Sequence, residues 1–482
     1  MNTRLVVRVL GLLLIFSGLA MFWPLAFSVY FGDGDHVALV KSIVINVAAG
    51  LLMFFLSRSK GKQLGHKEGF AIVSLGWITL AVFGSLPYLF SGVFSNPIDA
   101  VFETMSGYTT TGATVLTSIE GQPRGILFWR SLTHWFGGMG VLVLATAILP
   151  FLGVGGMQLM RAEAPGPVTD RLTPRITSTA KLLWIVYGLL SLSETMLLMV
   201  GGMSLYEALC HTFGTMATGG FSTRDASIAA FNSMYIEGVI ILFMFLAGAS
   251  FSLHFRFIFD QNWRGFWKDE EFRFYLMVIF GGTALVTWNL FQRYYHDVFQ
   301  SFRQAFFQVV SITTTTGFCT TDFDLWPSFS KMILLVLMFV GGCAGSTGGA
   351  MKHVRVLILC KHGLRELRRL ILPGAVLPIR VSRKPVSDEV VTNVLGFFLL
   401  YMLVFVIATF VVSFLGVSFI TAFASVAATL GNIGPGYEAV GAVRNYAGLP
   451  QVVKVILSFC MLAGRLEIYT VLILLMPSFW KK

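Results

Sequence analysis

Four short segments rich in threonine and glycine carry the clearest chemical potential in this 482-residue sequence. Glycine permits the unusual backbone angles that aim several neighbouring carbonyl groups in one direction. Rings of backbone carbonyls can replace the water around a potassium ion. We therefore treat these segments as candidate cation ligands, and their members are Thr110, Thr111 and Gly112; Thr218, Gly219 and Gly220; Thr315, Thr316 and Gly317; and Asn432, Ile433 and Gly434.

The four segments occupy the same place in a repeated pattern. The last glycine of each segment lies twelve residues after an alanine, and these alanines are Ala100, Ala208, Ala305 and Ala422. Four residues before each alanine stands a residue type that favours a helix N-cap, namely Asn96, Ser204, Ser301 and Ser418. An offset held four times indicates an internal repeat. Each copy predicts a short capped helix that ends at its threonine and glycine segment.

Composition places these repeats in a membrane protein. The mean hydropathy is +0.76, 55% of the residues are apolar and only 12% are charged. Apolar runs of roughly 20 residues, enough to cross about 30 Å of hydrocarbon, are predicted near residues 5–30, 37–57, 69–90, 126–150, 180–203, 236–255, 274–292, 327–360, 390–416 and 450–478. The sequence therefore predicts an all-α polytopic membrane protein with about ten transmembrane helices.

The short helices fall between consecutive spans, which predicts two N-terminal helices followed by four helix–pore loop–helix repeats in a pseudo-fourfold ring. Irregular backbone at membrane depth is tolerated where protein buries it or where it lines a water-filled cavity. The alternative is that these clusters only allow close helix packing. The predicted units are an N-terminal helix pair over residues 1–65 and pore repeats over 66–165, 166–265, 266–375 and 376–482.

The distribution of basic residues predicts the orientation. Most of the 35 lysines and arginines fall in loops on one side of the predicted membrane, and the positive-inside rule makes that side cytoplasmic. Both termini share it, so the four short helices enter from outside. The net charge of +11 therefore reports orientation and not nucleic-acid binding. The largest predicted cytoplasmic connection, 361–389, is basic. Its positive charge is consistent with a docking surface and equally with a solvated loop.

Five cysteines are scattered without the spacing of a disulfide framework or a metal site. The sequence also lacks a Ser/His/Asp grouping, an HExxH motif and paired metal-ligand motifs. We therefore expect neither an enzyme nor a bound cofactor. Four isolated polar residues are interpreted as satisfied positions within or behind the short helices: His134, Glu103, Glu194 and Gln308. Three acidic residues follow the segments on the predicted outer side and either attract cations or are solvated: Asp322, Asp324 and Glu438.

The eighth predicted span contains a break. The break contains Gly341, Gly342, Gly345, Ser346, Gly348 and Gly349. Each glycine in a helix costs about 1 kcal/mol of helix stability relative to alanine, so this cluster disfavours a continuous helix. At 1.5 Å per residue, Gly341 would lie about 21 Å below Pro327, past the middle of the bilayer. Close helix packing is one explanation, and a flexible intramembrane loop is the other.

The tenth predicted span contains Arg465 in an apolar stretch. Charged residues inside membranes are rare and are functional candidates by default. Counting from Pro450 puts Arg465 about 22 Å down the helix, at a depth similar to the glycine break. A salt bridge to Glu467 or an extended side chain that reaches the membrane surface would also explain it.

With these motifs in hand, the chain resembles the Trk/Ktr/HKT superfamily of potassium transporters over essentially its whole length. The four threonine and glycine segments match the filter pieces of that family. The resemblance implies a gated, channel-like pore that takes up K⁺ and Rb⁺ across the bacterial cytoplasmic membrane. It places K⁺ at Thr111, Gly112, Gly219, Gly220, Thr316, Gly317, Ile433 and Gly434.

The same resemblance implies a gate and partners. The glycine-rich loop would be the gate, and Arg465 would project into the pore just below the filter, where it repels cations. The family further implies a homodimer and a cytosolic ring of nucleotide-binding TrkA subunits. Cys319 and the threonine-free fourth segment depart from fourfold symmetry. The alternative function is a secondary transporter that couples potassium to protons or sodium.

Overall fold

The computed structural model describes residues 1–57, 65–140, 176–261 and 264–481, and helices make up most of these ranges, with a single two-stranded hairpin among the described residues. The first half contains α1 (Thr3–Ala20), α2 (Phe22–Phe31), α3 (His36–Leu56), α4 (His66–Gly84), α5 (Leu86–Phe90), α6 (Pro97–Tyr108), α7 (Arg124–Gly138), α8 (Ile176–Val200), α9 (Leu205–Met216), α10 (Met234–Gly248) and α11 (Phe251–Ile258). The second half contains α12 (Arg264–Lys268), α13 (Glu270–Leu290), α14 (Val298–Thr313), α15 (Ser328–Leu337), α16 (His353–Ile371), α17 (Asp388–Phe414), α18 (Phe419–Leu430), α19 (Gln451–Arg465), α20 (Tyr469–Leu475) and α21 (Pro477–Trp480).

The first and third helices pack closely through glycine. A Cβ atom built on Gly11 would lie 2.6 Å from the carbonyl oxygen of Gly50, and a Cβ on Gly50 would lie 2.6 Å from that of Gly11. No larger residue fits at this crossing without moving a backbone. Small residues at helix crossings are typical of membrane proteins because they let backbones approach. α1 and α3 therefore pack tightly against each other at this crossing.

Among the described residues, six helices are long and apolar enough to cross a membrane, and they span Thr3–Phe31, His36–Leu56, His66–Phe90, Ala180–Val200, Glu270–Tyr295 and Asp388–Phe414. Three of the other four predicted spans are broken among the described residues. Met234–Gly248 and Phe251–Ile258 meet at an angle of 104°. The predicted span at 126–150 begins with α7, but its second half lies outside the described residues.

The eighth and tenth predicted spans are not continuous helices: the break predicted in the eighth is present, and a second break in the tenth was not predicted. α15 ends at Leu337, and helix resumes only with α16 at His353. α16 continues to Ile371, so part of the predicted cytoplasmic connection is helical, followed by a hairpin that pairs Arg380–Val381 with Lys384–Pro385. α19 ends at Arg465, and α20 begins at Tyr469.

The four short helices are α6, α9, α14 and α18, and more than half of the residues of each are buried. Three of the four predicted caps are confirmed, because the side chains of Asn96, Ser204 and Ser418 accept backbone N–H hydrogen bonds at the helix starts. The cap predicted at Ser301 is wrong. α14 begins one turn earlier, at Val298, because Asp297 caps it.

Candidate ion pathway

Each short helix ends in the same backbone motif, a Schellman C-cap with a non-glycine residue in the left-handed region. The left-handed residues and their φ angles are Thr110 (53°), Thr218 (53°), Thr315 (60°) and Asn432 (53°). The next N–H returns to the helix in all four copies, for example from Thr111 to the carbonyl oxygen of Ser106 at 2.9 Å. Positive φ is rare for a β-branched residue such as threonine, and strained backbone tends to cluster at functional sites.

Two residues after each left-handed residue comes a glycine that also has positive φ. These glycines are Gly112 (80°), Gly220 (76°), Gly317 (81°) and Gly434 (98°). We call the four three-residue stretches the ring segments: Thr110–Gly112, Thr218–Gly220, Thr315–Gly317 and Asn432–Gly434. The order of a left-handed residue, a residue without positive φ and a left-handed glycine repeats in every segment, although the fourth has asparagine and isoleucine where the third has threonines.

The ring segments meet one another in a closed cycle. A Cβ built on Gly112 would lie less than 3.0 Å from the carbonyl oxygen of Gly219, in the second segment. The same close approach joins Gly220 to Thr316 O, Gly317 to Ile433 O, and Gly434 to Thr111 O. Each glycine thus touches the carbonyl that precedes the glycine of the next segment, and the fourth segment closes on the first. Any side chain at these glycines would displace a neighbouring carbonyl.

This arrangement can coordinate a cation without ionised ligands. The carbonyl oxygens of Thr111, Gly219, Thr316 and Ile433 belong to one contact cycle, and backbone carbonyls of this kind can substitute for hydration water. The short helices end at the ring, so their C-terminal, negative dipole ends converge there and favour positive charge. In the described residues, no group of three or more His, Cys, Asp or Glu side chains could hold a metal ion.

The glycine-rich loop between α15 and α16 lies directly against the inner side of the ring segments. The backbone N–H of Gly349 donates to the Thr315 hydroxyl at 2.6 Å. A Cβ on Gly349 would lie less than 3.0 Å from the Gly431 carbonyl oxygen, where α18 ends. The glycines therefore allow the loop to touch the third and fourth ring segments.

Arg465 connects three elements beneath the ring. Its guanidinium donates to Thr347 O of the loop at 2.7 Å and to Gly138 O at the end of α7 at 2.8 Å, and it also bonds Gly137 O. These carbonyls hold the guanidinium within the protein. The structure therefore does not show the Arg465 side chain extended toward a membrane surface. Glu467 makes its ion pair with Arg355 of α16.

The backbone just after Arg465 is strained. Glu467 and Ile468 both have positive φ, 54° and 60°, and Ile468 has ψ of −55°. The Tyr469 N–H bonds Glu467 O at 2.6 Å, which makes a γ-turn of the rare, strained hand. A buried isoleucine in this conformation is an outlier. Sequence reasoning missed this turn because nothing in the residue types signals it.

Two acidic residues fasten the loop and α16 to their surroundings: sequence analysis missed Glu271, and it named Glu467 only as a possible partner of Arg465. One carboxylate oxygen of Glu271, on α13, accepts from Ala344 N at 2.7 Å and from Val354 N at 3.0 Å, so it joins the middle of the loop to the start of α16. Glu467 pairs with Arg355, in the first turn of α16. Their partners are 73 to 112 residues away in the chain, so no local pattern could reveal them.

The outer acidic residues are engaged with neighbouring groups. One Asp324 oxygen accepts from Glu438 N at 2.7 Å. The hydroxyls of Ser418 and Thr421 donate to the exposed Glu438 carboxylate and hold its pKa below the usual value. This carboxylate therefore stays ionised at neutral pH, four residues after Gly434 of the fourth segment.

Fold and site together define a multi-pass helical membrane protein of the transport class. The sequence model of the TrkH family, described as cation transport protein, matches residues 35–482. The chain belongs to this family.

The chain matches several named relatives over the full length of both sequences. The chain is 44% identical over 484 residues to the Trk system potassium uptake protein TrkH of Halomonas elongata, and 43% identical over 485 residues to that of Escherichia coli strain K12, with 100% of each chain covered. It also matches the crystal structure of the potassium transporter TrkH from Vibrio parahaemolyticus with a TM-score of 0.90, at 40% identity and complete coverage of both chains. The predicted family and all-α fold class are therefore confirmed.

Proposed function

We propose that this chain takes up potassium, and rubidium in its place, across the bacterial cytoplasmic membrane through a gated pore. The observation that carries the proposal is the closed cycle in which each ring glycine touches the next segment's carbonyl. The names of the relatives support potassium as the substrate. The ring segments would form the selectivity filter, with K⁺ held by backbone oxygens at Thr111, Gly112, Gly219, Gly220, Thr316, Gly317, Ile433 and Gly434.

The glycine-rich loop and Arg465 would form the gate. Gly349 contacts the ring from below, and Arg465 fixes the loop to α7 through Thr347 O. In this closed arrangement, a positive charge and a length of backbone lie beneath the filter. Opening would require the loop to leave the ring, which the glycines make possible; the loop residues assigned to the gate are Gly341, Gly342, Gly345, Ser346, Gly348 and Gly349.

The partners and the orientation follow from the family and the charges. Both termini would be cytoplasmic, and a homodimer would associate with a cytosolic, nucleotide-binding TrkA ring. The basic face of α16 and the following hairpin would meet that ring, and Arg355 would relay its movement to Glu467 beside Arg465. A partner can shift the gate only if it binds the open and closed states differently. The five predicted units, 1–65, 66–165, 166–265, 266–375 and 376–482, remain part of this proposal.

Rubidium uptake by reconstituted protein tests the function. Purified protein in liposomes loaded with KCl should accumulate external Rb⁺ in exchange for K⁺ without a proton or sodium gradient. Empty liposomes give the background. Protein that is folded, correctly inserted and still unable to move Rb⁺ with and without its cytosolic partner would rule out the proposed pore.

Coupled transport is the second candidate, because broken helices are common in secondary transporters. α10 and α11 are bent by 104°, and two further predicted spans break beneath the ring. The four segments, however, close into one ring around a single axis, which favours a pore. Dependence of Rb⁺ uptake on an imposed proton or sodium gradient would identify coupling.

Glu271→Ala should loosen the gate loop. The substitution removes the acceptor for the N–H groups of Ala344, which is partly buried, and Val354, which is buried; a hydrogen bond to a charged acceptor contributes about 1.5–3 kcal/mol. We expect basal Rb⁺ uptake to increase several-fold at equal amounts of reconstituted protein. Glu120→Ala is a matched control because Glu120 is exposed outside the short helices. Unchanged basal uptake in folded Glu271→Ala would remove Glu271 from the gate.

A further inference from the structure

A side chain behind each ring segment occupies an equivalent position in the repeat. Three residues after the repeat alanines stand Glu103, His211, Gln308 and Ser425. Two residues after the ring glycines stand Thr114, Ser222, Cys319 and Gly436. In the first three repeats, the residue of the first set touches the residue of the second. We call these contacts the braces, and they differ in chemistry from repeat to repeat.

The first brace is the strongest because its acceptor is ionised. The Glu103 carboxylate accepts from the Thr114 hydroxyl at 2.9 Å and from Val115 N at 2.8 Å. It also receives Arg130 Nε at 2.7 Å, and the two side chains are 0% and 2% exposed. Charge-assisted hydrogen bonds are roughly twice as strong as neutral ones. The backbone that leaves the first ring segment is therefore fixed by a fully buried ion pair.

Arg130 carries this brace across to the second repeat. Its Nη1 donates to Ser222 O at 3.1 Å, and its guanidinium lies 3.4 Å from the centre of the Phe221 ring. Phe221 directly follows Gly220, the glycine of the second ring segment. One buried ion pair thus fixes the exits of two neighbouring ring segments, and Gly112 of the first touches Gly219 O of the second.

The remaining braces are neutral. His211 Nε2 bonds the Ser222 hydroxyl at 3.0 Å, and Gln308 makes long contacts of 3.4 Å to Phe318 O and 3.5 Å to Cys319 Sγ. In the fourth repeat, Ser425 bonds its own helix, and Tyr446 replaces it by donating to Gly434 O at 2.7 Å. The ring is therefore held unequally, most firmly at its first and second segments.

We propose that Glu103 and Arg130 are positioning residues that set the preference of the ring for K⁺ over Na⁺. This inference rests on the proposed function, because it assumes that the ring segments form the filter. A ring whose carbonyls are held apart cannot contract around the smaller ion, whereas a loosened ring can. The neutral braces of the third and fourth repeats cannot supply this restraint at the contact between Gly112 and Gly219.

Ion selectivity of reconstituted variants tests the inference. Glu103→Gln keeps an acceptor oxygen but removes the charge, and the double variant Glu103→Gln, Arg130→Gln removes both charges, so no uncompensated buried charge remains to prevent folding. We expect the permeability ratio of K⁺ to Na⁺ to fall roughly tenfold, within the range of mutations that act through contiguous contacts, while Rb⁺ uptake persists. Glu237→Gln is the control, because it breaks the Glu237–Arg303 pair away from the ring.

The outcomes separate the two proposals. A lower ratio in both charge-removing variants, with the wild-type ratio in Glu237→Gln, supports the positioning role. A wild-type ratio in the folded double variant overturns it and leaves the proposed pore intact. Absence of Rb⁺ uptake in the wild-type protein would instead overturn the proposed function on which the inference rests.

Discussion

Arg465→Ala is expected to raise basal Rb⁺ flux by at least about tenfold. At an effective dielectric constant of about 20, a positive charge about 7 Å from a permeating cation costs about 2 kcal/mol, or roughly thirtyfold in rate. The substitution also removes the donors that fix the loop to α7 through Thr347 and Gly138. Both effects favour the conducting state, and Rb⁺ uptake into liposomes at equal protein content measures their sum.

Two further variants separate the electrostatic effect of the Arg465 charge from its hydrogen bonds to the loop and to α7. Arg465→Lys keeps the charge but not the fork of donors that reaches two elements, so its flux should lie between those of the wild type and alanine. Arg444→Ala removes an exposed arginine on an outer loop and should leave flux unchanged. Wild-type or lower flux in folded Arg465→Ala would exclude a blocking role for Arg465.

The second large effect is expected for Gly112→Ser, which should raise Na⁺ permeation relative to K⁺ by about tenfold or more. A Cβ at this position would overlap the Gly219 carbonyl oxygen, and the positive φ of 80° disfavours any side chain. The displaced carbonyl can no longer keep its place in the ring, and discrimination between the two ions should fall. Competition of Na⁺ with Rb⁺ uptake measures the change.

Gly238→Ser is the matched control, because a Cβ on Gly238 has no heavy atom within 4 Å. It adds the same hydroxymethyl group to α10 without touching the ring. We expect its selectivity to equal that of the wild type. If Gly112→Ser folds and retains the wild-type preference for K⁺, Gly112 is not part of the filter.

The repeated offset in the sequence was enough to predict the four short helices and the residues at their ends. Periodic cap residues and glycines are local signals. The predicted cap residue is correct at three of the four helix starts. The exception at Ser301 arose because two cap residues compete in that repeat, and Asp297 starts α14 one turn earlier. The left-handed threonines were not predictable, because glycine is the residue expected in a Schellman cap.

The features beneath and behind the ring could not be predicted from local patterns. Glu271 reaches the loop across 73 residues, and Glu103 meets Arg130 across 27. Such pairs form only when distant helices pack. The sequence contains 24 acidic and 35 basic residues, and nothing local indicates which of them will meet. The arginine at 465 was visible because a charge within an apolar run is rare, whereas its carbonyl partners on α7 and the loop were not.

The reversal potential of the purified protein in a planar bilayer tests the central claim most directly. With K⁺ unequal on the two sides and both pH and Na⁺ symmetrical, a potassium-selective pore predicts a reversal potential that shifts by about 59 mV per tenfold K⁺ gradient. An added pH gradient should leave that potential unchanged. A reversal potential that moves with the pH gradient would contradict a potassium-selective pore and indicate transport coupled to protons.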